Sequence, residues 1–351
     1  MYVIKGQSQM EKRNLYILTL EPIEQRYTKQ WYKYFRKGFS EWFNVKYIDG
    51  TIGSDKIEKG KFLDINKTNI WKAEQVIKIA NLFKDGKIKR GDKFFVTDGW
   101  NFAITALKYM SQLNNIPVKI YAYWHAGTYD EFDFISQAGL RSWATCNEVG
   151  WFSACDKHFV ATKYHKKIIT DYFGRVIGNK VYVVGFPMDW ANEIKKEIGS
   201  KKVKKENLIV FPHRLDFEKQ PKVFDQIAKR MKCDYKFVKT LEVTKNKKEY
   251  YNLISKAKIV FSANLQETFG IGTVEALMLG AIPIVPNRLT YVEMYPPQFR
   301  YKDANDAMIK IRKYIETYDN PVIQKTVKTV QGKIQEKSLN SIKRMARLMS
   351  K

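Results

Sequence analysis

The stretch from Gln266 to Pro283, Gln-Glu-Thr-Phe-Gly-Ile-Gly-Thr-Val-Glu-Ala-Leu-Met-Leu-Gly-Ala-Ile-Pro, admits few folds. Gly270 and Gly272 loosen a turn, a short apolar helical run follows, Gly280 stops it, and Ala281 to Val285 reads as a buried strand. A loop feeding a short helix that returns at once to a buried strand is the repeating unit of a parallel α/β sheet. The spacing predicts a helix starting near Gly272. Its unpaired N–H groups and positive dipole end then face whatever the glycine loop admits, and they suit phosphate. Glu267 falls in the loop and Glu275 in the first helical turn, so two carboxylates flank such a ligand. One would accept hydrogen bonds from a ribose, and the other would meet a sugar on the far side of a diphosphate.

The rest of the chain repeats the alternation. Apolar runs Leu15 to Leu20, Val45 to Ile48, Phe94 to Thr97, Val118 to Tyr123 and His158 to Ala161 read as strands, with helical stretches such as Ile70 to Phe83 and Asn101 to Leu113 between them. A second series, Leu208 to Phe211, Tyr235 to Val238, Ile259 to Ser262 and Ile282 to Val285, includes a helix from Pro221 to Met231. The pattern predicts two doubly wound sheets in tandem, and 351 residues that are 44% hydrophobic suffice for two cores. The expected division is 1–187, then 188–320, then a basic amphipathic helical segment 321–351, with a hinge at Gly185 to Asp189. No apolar run reaches 18 residues, and Met1 to Asn14 lacks the apolar stretch of a signal peptide, so the expected location is cytoplasmic. Cys146, Cys155 and Cys233 are odd in number and lack CxxC spacing, which predicts buried thiols rather than disulfides or a zinc site.

Ligands of doubly wound sheets bind beyond the carboxyl ends of the strands. Those ends supply Glu21 to Arg26, Asp98-Gly99-Trp100 and Trp124 to Gly127 in the first half. In the second they supply His213-Arg214, Asn264 to Gly270 and Pro286 to Arg288. If the sheets oppose each other, both sets face one cleft.

Glu267 and Glu275 with seven residues between them, followed by Ala-Leu and by Gly-Ala-Ile-Pro-Ile-Val, resemble the signature of retaining GT-B glycosyltransferases of the family-4 type. The resemblance is close over about the last third of the chain and scattered before it. It implies an α/β, GT-B architecture: two Rossmann-like doubly wound domains facing a central cleft, with a C-terminal helix crossing back over the first. The implied donor is a nucleoside-diphosphate sugar, UDP-linked in preference to GDP-linked, with no cofactor. Arg214, Lys219, Glu267, Phe269, Gly270, Ile271, Gly272, Thr273 and Glu275 are the corresponding donor-binding residues. His125, Arg214, Lys219 and Glu267 are the corresponding catalytic ones. A guanidinium and an ammonium stabilise a departing diphosphate without a metal ion, and no DxD triplet occurs in the chain. His125, ahead of Ala126 and Gly127, corresponds to a histidine that touches the donor sugar. His213 lies beside Arg214 within reach of phosphate, whereas His158 and His165 read as packed. The chain departs from the family at Thr19 to Thr28, which lacks the usual glycine pair. Glu24 and Arg26, with Asp98 and Trp100, are therefore assigned to the acceptor.

The 62 Lys and Arg against 36 Asp and Glu give a net charge of +26, which implies a polyanionic partner. Duplex DNA and an anionic membrane surface both satisfy that inference. The first reading is transfer to a hydroxylated pyrimidine base in DNA such as 5-hydroxymethylcytosine, as in a phage. The second is transfer at a membrane surface to a lipid or envelope saccharide, and the third a non-catalytic nucleic-acid-binding protein of GT-B shape. No obligate protein partner is visible.

Overall fold

The computed structural model describes residues 12–23, 27–51, 53, 64–199, 203–231 and 235–351, which form two parallel sheets wrapped by helices. The first sheet contains β1 (Asn14–Leu18), β2 (Asn44–Ile48), β3 (Lys93–Val96), β4 (Lys119–Tyr123), β5 (Lys157–Val160) and β6 (Val181–Val183), in the order β2-β1-β3-β4-β5-β6. The second contains β7 (Glu206–Phe211), β8 (Lys236–Lys239), β9 (Ala257–Phe261), β10 (Ile282–Pro286) and β11 (Arg300–Tyr301), in the order β11-β10-β9-β7-β8. The nine strands read from apolar runs are all present. β6 and β11 add three and two residues, too few to carry a pattern.

Both faces of each sheet are covered, which is why the strands read as nearly continuous apolar runs. In β1, Leu15 and Ile17 face Trp31, Phe35 and Phe39, while Tyr16 and Leu18 face the opposite layer with Ile79, Phe83 and Ile104. The helix Tyr27–Phe39 forms because Thr28, Trp31, Phe35 and Phe39 fall on one stripe at helical spacing. Each of the larger three contributes on the order of 1.5–3 kcal/mol by burial. The helix Ile65–Lys84 starts before the expected Ile70 because Asp64 caps it, accepting from the backbone N–H of Lys67.

The C-terminal segment is two helices, and it crosses between the domains. Asn320 caps Pro321–Leu339, which lies on the second domain, where Gln331 donates to the carbonyl of Leu277 at 2.6 Å. The chain turns at Asn340, and Ser341–Ser350 packs on the first sheet, where Tyr121 donates to the carbonyl of Met349 at 3.2 Å. The expected hinge at Gly185 to Asp189 meets this return: Ser341 donates to the Gly185 carbonyl, and Trp190 donates to Ser338 at 2.9 Å. Among the described residues, no helix is long and apolar enough to cross a membrane. Cys155 is buried as expected, but Cys146 is exposed on the outer face of the helix Arg141–Ala154, and Cys233 lies outside the described residues.

Candidate functional site

Strand β1 lies between β2 and β3, and β7 lies between β8 and β9, so the connections leave in opposite directions at these two points. Each reversal opens a crevice beyond the strand ends. Thr97 to Trp100 occupy the crevice of the first sheet. His213 to Lys219 and Asn264 to Gly270 occupy that of the second.

Glu267 organises the second crevice. Its Oε1 accepts the backbone N–H groups of Thr268, Phe269 and Gly270, the last at 2.8 Å, and its Oε2 accepts from Asn264 Nδ2 at 3.1 Å. The Lys219 ammonium stands 3.5 Å from Oε2. Burial alone would raise the Glu267 pKa, but Lys219, His213 and the N–H groups of Phe269 and Gly270 outweigh it and hold the carboxyl below its ordinary value. The carboxylate is thus charged and saturated by protein donors. It fixes the shape of the loop that precedes the helix Ile271–Met278.

That helix starts one residue earlier than the sequence implies, so Glu275 sits just past the first turn. Gly270 caps it at φ +85°, a left-handed conformation natural to glycine. A Cβ on Gly272 would lie 2.5 Å from the carbonyl oxygen of Pro212. Only glycine lets the chain at Pro212, just past β7, press against the start of the helix, so that the loop from His213 onward begins beside the dipole end. Ile271 and Thr273 line the same turn, and Phe269 stacks on Phe186 across the domain junction at 5.0 Å.

The Glu275 carboxylate accepts from Tyr250 at 2.9 Å and from Tyr251 at 2.7 Å. Burial raises its pKa, and the two tyrosines and Lys247 pull it back. A carboxylate offers about four lone-pair directions, and the tyrosines take two of them. The remaining two suit the vicinal hydroxyls of a ribose. Glu275→Gln is therefore expected to weaken nucleoside diphosphate binding by about 1 to 3 kcal/mol, because the amide keeps one acceptor oxygen and no charge. Isothermal titration calorimetry checks this, and unchanged affinity would place Glu275 outside the nucleotide's reach.

Arg214 is held by its own loop, Nη1 at 2.9 Å from Asp216 and Nη2 at 2.8 Å from Glu218. Lys219 is buried and donates to the carbonyl and side-chain oxygens of Gln266 at 2.7 and 3.1 Å. The next residue, Gln220, adopts φ +57° immediately before Pro221, a left-handed conformation that a non-glycine residue holds at a cost. Strain of this kind, about 1–3 kcal/mol, collects where a neighbour must be aimed, here Lys219.

His125 meets this crevice from the first domain. Its backbone carbonyl accepts from Thr268 at 2.8 Å, and Thr162 donates to the Thr268 carbonyl at 2.9 Å. The His125 Nε2 lies 3.0 Å from the Thr97 carbonyl, an acceptor only, so Nε2 carries the proton and Nδ1 accepts weakly from Tyr27 at 3.4 Å. Burial lowers the His125 pKa and keeps the ring neutral. Only the long Tyr27 contact is readily exchanged for a sugar hydroxyl.

Beyond the end of β3, Asp98 accepts the Trp100 backbone N–H at 3.2 Å. Trp100 donates its indole N–H to Glu148 at 2.6 Å and sets its ring edge-on to Trp151 at 4.9 Å. Its half-buried ring is held by the core instead of standing free as a stacking platform. Glu24 and Arg26 lie outside the described residues. Burial raises Asp130 to about 6 and Asp133 to about 7, and Asp130 senses the charges of Lys219 and Glu267. His158 and His165 are packed, each pushed to about 3 by burial.

Several buried polar atoms here have no hydrogen-bond partner among the described residues: His213 Nε2, Asn264 Oδ1, Tyr295 Oη and Asp130 Oδ2. Left unmet, each such group costs about 1–3 kcal/mol, so their collection around Glu267 marks a place where a polar ligand or water belongs. Among the described residues, no group of three His, Cys, Asp or Glu side chains is placed to hold a metal ion. Sequence reading missed Tyr250 and Tyr251, which reach Glu275 from another helix, and took in Gln266 and Thr268 only as members of the strand-end segment Asn264 to Gly270. Only Gln266 and Thr268, as neighbours of Glu267, were within reach of a local signal.

No family model matches the chain. A 65-residue stretch is 35% identical to the tRNA-queuosine alpha-mannosyltransferase of Drosophila melanogaster, covering 18% of this chain and 17% of that protein. In fold, the chain is similar to sucrose-phosphate synthase from Thermosynechococcus elongatus, with a TM-score of 0.65 at 11% identity over 97% of this chain and 98% of that one. It is also similar to a lipopolysaccharide outer core galactosyltransferase, with a TM-score of 0.58 at 12% identity over 95% of this chain and 99% of the other. At such identities the likeness is one of architecture: two Rossmann-like domains flanking a cleft, the GT-B fold.

Proposed function

We propose that the protein transfers a sugar, with retention and without a metal ion, from a nucleoside-diphosphate sugar to an acceptor bound across the cleft. The observation that carries this reading is the joining of Lys219 and the Gly270-capped helix start around the loop that Glu267 fixes, with Glu275 one turn away and the Arg214 loop tied in through Glu218, whose side chain holds Arg214 and whose carbonyl accepts the Leu265 N–H. Arg214, Lys219 and the helix dipole meet the charge that develops on the leaving diphosphate. Glu275 takes the ribose, Glu267 holds Phe269 to Thr273 in place, and His125 orients the sugar. UDP sugars are the favoured donors and GDP sugars the alternative.

For the acceptor, the excess of basic charge supports a nucleic acid, with a hydroxylated pyrimidine of DNA as the first candidate. The short match to a tRNA-modifying mannosyltransferase points to the same class of acceptor. The alternative, a lipid or envelope saccharide at a membrane surface, has the better support from the fold-level likenesses, which include a lipopolysaccharide outer core galactosyltransferase. The decisive experiment incubates the protein with a panel of sugar nucleotides and with hydroxymethylated DNA, ordinary DNA, RNA or lipid-linked saccharides, and then weighs the acceptors by mass spectrometry. A hexose or pentose increment names acceptor and sugar together, and no increment with no release of nucleoside diphosphate would leave a binding protein. Transfer is expected to continue in excess EDTA, because the chain lacks a DxD triplet and Arg214 with Lys219 faces the diphosphate. An absolute requirement for magnesium or manganese in that assay would overturn the assignment of these two cations.

A further inference from the structure

The surplus charge is not spread evenly. The helix Tyr27–Phe39 and the C-terminal stretch Ser341–Lys351 together hold eight Lys or Arg and no Asp or Glu. The two pack against each other, with Gly38 set over Ile342. Lys29, Lys33, Arg36 and Lys37 on the one and all four basic residues of the other are exposed. The helix Pro321–Leu339 leads onto this face with four more lysines and one acid, Glu336. These three segments carry +11 of the chain's +26.

What lies between the charges decides the partner. Trp31, Phe35, Phe39, Ile342, Met345 and Met349 all point inward and are buried, and neither helix exposes a large hydrophobic side chain. A helix that lies in a membrane interface buries an apolar face among the lipids, and this pair has none to offer. Phosphodiester backbones, by contrast, are held by cations alone. The face also runs to the cleft, since Tyr27 opens the first helix and its ring lies 5.5 Å from that of His125.

We propose that the paired helices Tyr27–Phe39 and Ser341–Ser350 dock the phosphate backbone of a polynucleotide and lead it to the mouth of the cleft at Tyr27 and His125. The inference rests on the transferase reading for the destination, whereas docking is measurable without turnover. The test uses the full chain and a variant with Lys33, Lys37, Lys343 and Arg347 each changed to Glu. A control variant carries Lys84, Lys229, Arg230 and Lys248 changed to Glu at exposed sites elsewhere. Fluorescence anisotropy reads binding to a 20-base-pair DNA duplex and to an RNA stem-loop between 50 and 200 mM salt, and flotation reads binding to vesicles containing phosphatidylserine. The expected result is nucleic-acid binding at least about tenfold weaker in the first variant, with a salt slope shallower by about 3 to 4, and near-wild-type binding in the control. The DNA and RNA arms identify which polymer is preferred. Equal losses in both variants, or wild-type binding to vesicles without binding to either nucleic acid, would overturn the proposal. Nucleoside diphosphate affinity, measured on the same preparations, reports folding and tests the donor site separately.

Discussion

Replacing Arg214 with Ala is expected to lower turnover by roughly 100-fold or more, read as release of nucleoside diphosphate from the sugar nucleotide. The size follows from how the guanidinium is held. Asp216 and Glu218 grip its two terminal nitrogens at 2.9 and 2.8 Å, so it is aimed before the donor arrives and need not reorganise as charge develops. Because the charge on the diphosphate grows toward the transition state, kcat and kcat/KM should fall together, with little change in the affinity of the intact donor. Arg214→Lys should recover only a small part, since a point charge cannot reproduce a planar fork. Wild-type turnover in the Ala variant would place Arg214 on the surface as a loop residue tied to its own acids.

The sequence carried the architecture further than the site. Period and punctuation are local, so the nine apolar runs and the Gly280 stop were visible in one dimension. β11 was not, because two residues make no pattern. Among the candidate site residues, those that the sequence could propose together share one stretch of chain: Arg214 with Lys219, and Glu267 with Glu275. Their partners were not legible, because contacts between residues far apart in sequence leave no spacing. Tyr250 and Tyr251 reach Glu275 from another helix, and Thr268 reaches His125 from the other domain. Trp100 shows the opposite case. Its position after a strand suggested a base-stacking role, while its indole N–H and ring edge belong to Glu148 and Trp151.

The largest effect on stability is expected from Lys219→Met. Lys219 is almost fully buried, and in its absence the carboxylate of Glu267 keeps its backbone N–H groups and Asn264 but loses its counter-charge. Breaking a buried pair by removing one partner costs about 3 to 5 kcal/mol, and the lower end applies here because the separation is 3.5 Å and the surviving donors still solvate the anion. The loss depends on pH in a definite direction. In the wild type the Glu267 pKa is depressed, so its ionisation favours the folded state above the unfolded value of about 4.3, and that contribution is lost as pH falls through the lower folded value. Without Lys219 the burial term is no longer outweighed, and the folded pKa rises. The charge-dependent part of the deficit should therefore be greatest near neutral pH, narrow as pH falls through the raised folded pKa of the variant, and vanish only below the depressed wild-type value, where Glu267 is protonated in both proteins. Urea denaturation across that range measures it. Glu267→Gln in the Lys219→Met background should restore part of the stability at pH 7, because no buried charge is then left alone. A deficit that is constant with pH and untouched by the second change would mean that Lys219 acts through packing and its bonds to Gln266, without a charge coupling to Glu267.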